Sequence, residues 1–177
     1  MIKKVLEYWN NMCYPIGRID SKGVRNMKKR NVTIYAAADY FLSIVDRESG
    51  ETITPLKLQK ILYYAQGWYM AYNNVPLFDE DFEAWEHGPA NRDLYNTYKS
   101  YGYGIINEPE KKPDIDSETS KFLNRVWNTY GIYDGKYLEE MTHNEIPWKK
   151  TVEEKGYNKI IEKKLIKSFF KNRLNEQ

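Results

Sequence analysis

The chain carries two histidines, His87 and His143, and each sits among carboxylates: Glu83 and Glu86 beside the first, Glu145 beside the second. Two imidazoles and a carboxylate can hold a catalytic metal, or can divide general acid and base roles. The spacing does not favour this chemistry. The histidines stand 56 residues apart on segments that read as turns, and neither falls in an HExxH pattern. The structural alternative is that each imidazole hydrogen-bonds a neighbouring backbone group and fixes a turn, and that is the reading we favour. There is no Gly-rich phosphate loop and no Ser-His-Asp order. The single cysteine, Cys13, excludes an intramolecular disulfide framework and a Cys-based zinc site within one chain. No cofactor or metal is expected.

The elements that position these residues read as helices. Thr54 is a good N-cap and Pro55 falls at the first helical position, where a missing N–H costs nothing. Leu58, Ile61, Leu62, Ala65, Tyr69 and Tyr72 form one stripe, and Tyr64, Trp68 and Ala71 extend it around the side. This helix should be nearly enveloped by the fold, with Lys57 and Lys60 confined to its first turn. Other helices are expected over 33–46, 92–101, 117–130, 135–143, from Pro147-Trp148 onward, and over 158–173 with Ile160, Ile161, Leu165 and Phe169 as its stripe. Residues 77–85 read either as a helical turn, with Phe78, Phe82 and Trp85 spaced by four and three, or as a turn leading into a short strand that ends at Trp85-Glu86-His87. Gly88-Pro89 then changes the chain's direction, with Gly88 biased extended. The fold class is therefore mainly α: a compact helical domain around a central buried helix, with a short β element near 82–87.

Length favours one domain. Residues 1–30 hold eight of the 27 basic and two of the 25 acidic side chains, which leaves 19 basic against 23 acidic beyond them. A nucleic-acid-binding domain carries a basic face, so nucleic acid is not the expected partner. A short helix is expected over 4–12. The arm over 1–26 reads as an N-terminal extension ahead of a domain over 27–177. Lys22-Gly23 before Met27 is compatible with a translated ribosome-binding sequence and Met27 as the start. No apolar run is long enough to span a membrane and the start lacks a clean signal-peptide core, so a cytoplasmic protein is expected.

Four ordered blocks carry a resemblance. They are Ile53–Trp68 (ITPLKLQKILYYAQGW), Pro76–Phe78, Glu83–Pro89 (EAWEHGP) and Leu138–Trp148 (LEEMTHNEIPW). Together they resemble the Panacea domain, the SocA-like antitoxin family of the phage-associated-protein type, over about residues 30–170. The residues that match are Thr54, Leu58, Gln59, Lys60, Tyr63 and Trp68, then Trp85, His87, Gly88 and Pro89, then Thr142, His143, Pro147 and Trp148. Ala90 stands where a valine is usual, and Ile146 where a glycine is common. The resemblance implies an antitoxin that neutralises a cognate protein toxin by direct contact, without enzymatic activity. It also implies an alternative role as an adaptor that delivers the toxin to an ATP-dependent protease. A metal- or His-dependent enzyme is the further alternative.

From the residues themselves, Trp68, Trp85 and Trp148 read as core anchors. Gln59 either caps a neighbouring loop, the role we favour, or lines a binding groove, and Lys60 either snorkels past apolar surface or lines the same groove. Tyr95, Tyr98, Lys99, Tyr101 and Tyr103 are the candidates for partner binding, because amphipathic aromatics with a basic neighbour suit contact surfaces.

Overall fold

The computed structural model describes residues 32–111 and 113–175. The helix expected over 4–12, the arm over 1–26 and the proposed start at Met27 lie outside the described residues. The elements run α1 (Ile34–Ile44), α2 (Pro55–Asn73), β1 (Glu83–Trp85), β2 (Gly88–Ala90), α3 (Arg92–Tyr98) with a 3-10 turn (Lys99–Tyr101), α4 (Ser117–Tyr130), α5 (Gly135–His143), α6 (Ile146–Lys155) and α7 (Lys163–Asn175).

Helix α2 is the axis of the molecule. The Thr54 hydroxyl accepts from Lys57 N at 3.3 Å, Pro55 occupies the first turn, and Asn74 closes the far end in the left-handed conformation with its N–H on Met70 O. Between these caps the helix is apolar nearly all round, and such a helix must be covered on every side. It is: α1, α3, α4, α5, α7 and β2 all pack against it. Even Lys57, Gln59, Lys60 and Gln66 are buried. Thr54→Ala removes the cap and is expected to cost about 1 kcal/mol of unfolding free energy, read from a urea midpoint.

Local signals set most of the other starts. Thr33, Asn91, Asp116 and Asp134 each cap the helix that follows through a side-chain oxygen. The last helix departs from expectation. Residues 158–161 are not helical but run along the outer edge of β1: Ala84 N donates to Lys159 O, Asn158 N to Ala84 O, and Ile161 N to Phe82 O, each at 2.8 Å. Asn158 is in the left-handed region, so helix α7 begins only at Lys163, and its buried side chains are Ile166 and Phe170 rather than Leu165 and Phe169. Two of the three tryptophans expected as core anchors also differ from expectation. Trp68 is fully buried, whereas Trp85 and Trp148 are half-buried on the flank of the hairpin.

Candidate functional site

The polar side chains of α2 explain the site. Strands β1 and β2 form an antiparallel hairpin in the register Glu83↔Ala90, Ala84↔Pro89, Trp85↔Gly88. Residues 158–161 cover one of its edges. The other edge would leave backbone groups unpaired inside the protein, which is costly. Gln59 and Lys60 close it. The Gln59 amide brackets Asn91 as a neighbouring strand would, accepting from Asn91 N at 2.8 Å and donating to Asn91 O at 3.0 Å. Lys60 Nζ donates to Pro89 O at 2.9 Å. Lys60 is fully buried, and desolvation pushes its ammonium down to about 7 against the pull of Glu139.

Helix α5 forms the second wall. Thr142 Oγ1 donates to Glu139 O at 2.8 Å and lies beneath the turn at Gly88. His87 Nδ1 meets Glu139 Oε1 at 3.2 Å, and Lys136 Nζ donates to the same oxygen at 2.9 Å. Burial opposes the charge on Glu139, but the hydrogen bonds from Lys136 and His87 outweigh it and hold the carboxyl below its ordinary range. His143 ends α5, not a turn. Its ring lies 4.2 Å from that of Trp148 and it hydrogen-bonds the main chain of Glu86. Desolvation is the main cause that lowers its pKa. Trp148 Nε1 in turn donates to Trp85 O at 2.8 Å.

Gly88 is where the walls meet. Its φ is +88°, so the extended bias expected before proline does not decide its backbone; the tight hairpin turn does. A Cβ there would fall 2.6 Å from Thr142 Oγ1 and 3.0 Å from Lys60 Cε. Gly88→Ala is therefore expected to destabilise by about 2 kcal/mol, from backbone strain and overlap together. A thermal melt of the purified variant measures it.

The carboxylates that the sequence sets beside the histidines are not their partners. Glu83 receives Arg92 and Trp85 Nε1, and Glu145 is buried against Tyr64 and Arg173. Both histidines instead share the field of Glu139, a residue that sequence reasoning missed. His143 Nε2 is buried without a hydrogen-bond partner, while the His87 side chain is 65% exposed. Among the described residues no group of three His, Cys, Asp or Glu side chains could hold a metal ion. The cluster's polar groups hold backbone and one another.

The expected partner-binding tyrosines divide. Tyr98 donates to Asp39 at 3.2 Å and packs on the core, as does Tyr101. Tyr95 lies edge-on to Trp85 with ring centres 5.1 Å apart, and Lys99 bonds Asn96. Tyr103 stands clear of the fold, 95% exposed.

The chain is thus a helical domain wrapped around one enveloped helix, with a short hairpin locked onto that helix by Gln59 and Lys60. The family model described as "Antitoxin SocA-like, Panacea domain" matches residues 58–149, and the chain belongs to that family. The matched span holds Gln59, Lys60, the hairpin, α5 and Trp148. Antitoxin SocA of Caulobacter vibrioides (strain NA1000 / CB15N) is 31% identical over 109 residues, covering 54% of this chain and 58% of that relative. The chain thus spans less than two thirds of that relative's length. No solved structure matches. Membership in an antitoxin family points to a non-enzymatic role. No helix among the described residues is long and apolar enough to cross a membrane.

Proposed function

We propose that this chain is an antitoxin that neutralises a cognate protein toxin by direct binding in the cytoplasm. The observation that carries the reading is the family match over residues 58–149. The site is compatible with it: several groups within the matched span that could do chemistry serve the fold instead. Lys60 lies on a backbone carbonyl, Glu139 is shared by His87 and Lys136, and His143 Nε2 is buried.

The test is co-expression with the protein encoded by the neighbouring open reading frame. Rescue of growth, with a co-purifying complex, is the expected result. Failure of any neighbouring product to be toxic or to bind would sink the proposal. Repeating the rescue in cells that lack their ATP-dependent proteases separates two modes. Rescue that persists supports neutralisation by binding, and rescue that disappears supports delivery of the toxin to a protease. His87→Ala and His143→Ala should leave neutralisation intact wherever they leave the fold intact.

A further inference from the structure

Helix α7 is charged in one sense only: it holds five basic side chains and no acidic one. The fold accounts for two of the five. Lys163 Nζ donates to Asp79 O at 2.7 Å and pairs with Asp81, and the Arg173 guanidinium reaches Glu145 and lies over the Phe169 ring. Lys164, Lys167 and Lys171 remain, and none of them makes an ion pair or a hydrogen bond among the described residues. Lys164 lies in the field of Glu162, but that carboxylate already pairs with Lys155 at 2.6 Å. The three lysines recur at i, i+3 and i+7, so they run along one flank of the helix over about 10 Å, while Ile166 and Phe170 face the core. Ser168 and Asn172 are exposed beside them.

This stripe does not serve the helix that carries it. Like charges three and four residues apart repel, and a cation in the first turn opposes the helix dipole. A generally basic composition does not explain it either. Residues 32–145 hold ten basic and nineteen acidic side chains, so the lysines gather on the last helix of an otherwise acidic domain. A stripe that weakens its own helix and is confined to one face fits a partner of opposite charge. Nucleic acid fits less well than protein. Duplex DNA carries about one negative charge per 1.7 Å, and that charge would run past so short a stripe onto the acidic remainder of the domain. A local patch of carboxylates on a protein can end where the stripe ends.

We propose that the outer face of α7 is a docking surface for the toxin, which meets it with a cluster of Asp or Glu side chains. The carboxylates lie along Lys164, Lys167 and Lys171, and Ser168 and Asn172 add hydrogen bonds at the margin. The inference rests on the antitoxin reading and adds the surface and the chemistry of the contact.

Calorimetry with the full chain and the protein from the neighbouring reading frame tests it. Lys164→Gln, Lys167→Gln and Lys171→Gln combined should weaken binding about tenfold or more and flatten its dependence on salt. The same triple variant should match or exceed the parental chain in urea midpoint, because it relieves the repulsion along the helix. Lys99→Gln, Lys111→Gln and Lys121→Gln combined remove the same charge elsewhere and should leave the affinity nearly unchanged. Parental affinity in the first variant, or an equal loss in the second, overturns the proposal and leaves the antitoxin reading standing. A lower urea midpoint in the first variant also overturns it, because the stripe would then belong to the fold. Duplex DNA that binds the parental chain but not the first variant, with toxin affinity unchanged, assigns the stripe to nucleic acid instead. No binding and no growth rescue with the unmodified chain overturns both the proposal and the antitoxin reading.

Discussion

Phe170→Ala is expected to lower the unfolding free energy by about 3–5 kcal/mol, the range for emptying a buried aromatic site. Phe170 is fully buried and joins the last helix to the central one. Its ring meets Trp68 at 5.0 Å, Tyr63 at 5.9 Å and Tyr64 at 6.0 Å between centroids, all edge-to-face. Such pairs add stabilisation beyond the area they bury. The ring can enter because Gly67 has no side chain: a Cβ at Gly67 would overlap the Phe170 ring. A loss of this size is a large share of the roughly 5–15 kcal/mol that holds a typical domain together, so the variant should unfold near physiological temperature. Urea denaturation measures the change. Gly67→Ala should also destabilise, by about 1–3 kcal/mol, because it overpacks the same contact. The double variant should cost less than the sum, since each change relieves the other's fault. Strict additivity would show that the ring does not rest on Gly67.

What the sequence discloses and what it hides follow one physical line. Caps are local, so Thr54 announces the helix it starts, and the enveloped character of α2 follows from its apolar stripes; Asp116 and Asp134 cap their helices in the same local way. The start of α7 is hidden because Ile160 and Ile161 suit a helix stripe as well as a strand, and the choice is made by β1, more than 70 residues earlier. Lys60 is hidden for the same reason. Lysine is a surface residue by habit, and only the carbonyl of Pro89, brought in by the fold, makes burial tolerable. The histidines stand beside Glu83, Glu86 and Glu145 in the chain, but Glu139 lies 52 positions from His87 and reaches it only when α5 packs against the hairpin. The four motif blocks therefore mark a scaffold whose parts are close in space.

The second large effect is a pH dependence, centred on Glu145. This residue precedes α6 but does not cap it; its carboxyl turns into the core and is 2% exposed. Tyr64 donates to Oε1 at 3.2 Å, Arg173 Nη1 approaches the same oxygen at 3.4 Å, and Tyr63 faces the group short of hydrogen-bond geometry. Oε2 is buried with no hydrogen-bond partner. Desolvation dominates and pushes the carboxyl up to about 7, against the pull of Arg173 and the two tyrosines. An unfolded glutamate ionises near 4.3. Between that pH and about 7 the folded chain keeps a proton that the unfolded chain has released, so folding loses stability as pH rises through this window and levels off above it. The full shift corresponds to about 4 kcal/mol, of which the span from pH 4.5 upward captures about 3. Glu145→Gln removes the titration and keeps a carbonyl for Tyr64. The parental chain, measured by urea denaturation against this variant, should lose about 3 kcal/mol of relative stability between pH 4.5 and pH 8. Lys60 has the opposite sign, its depressed folded pKa adding stability as pH rises above about 7, but it is common to both proteins and cancels in the difference. A difference that stays constant across the window would mean that Arg173 holds Glu145 ionised in the core, with Oε2 satisfied by water, and the last helix would then be pinned by a buried ion pair instead of by a neutral acid.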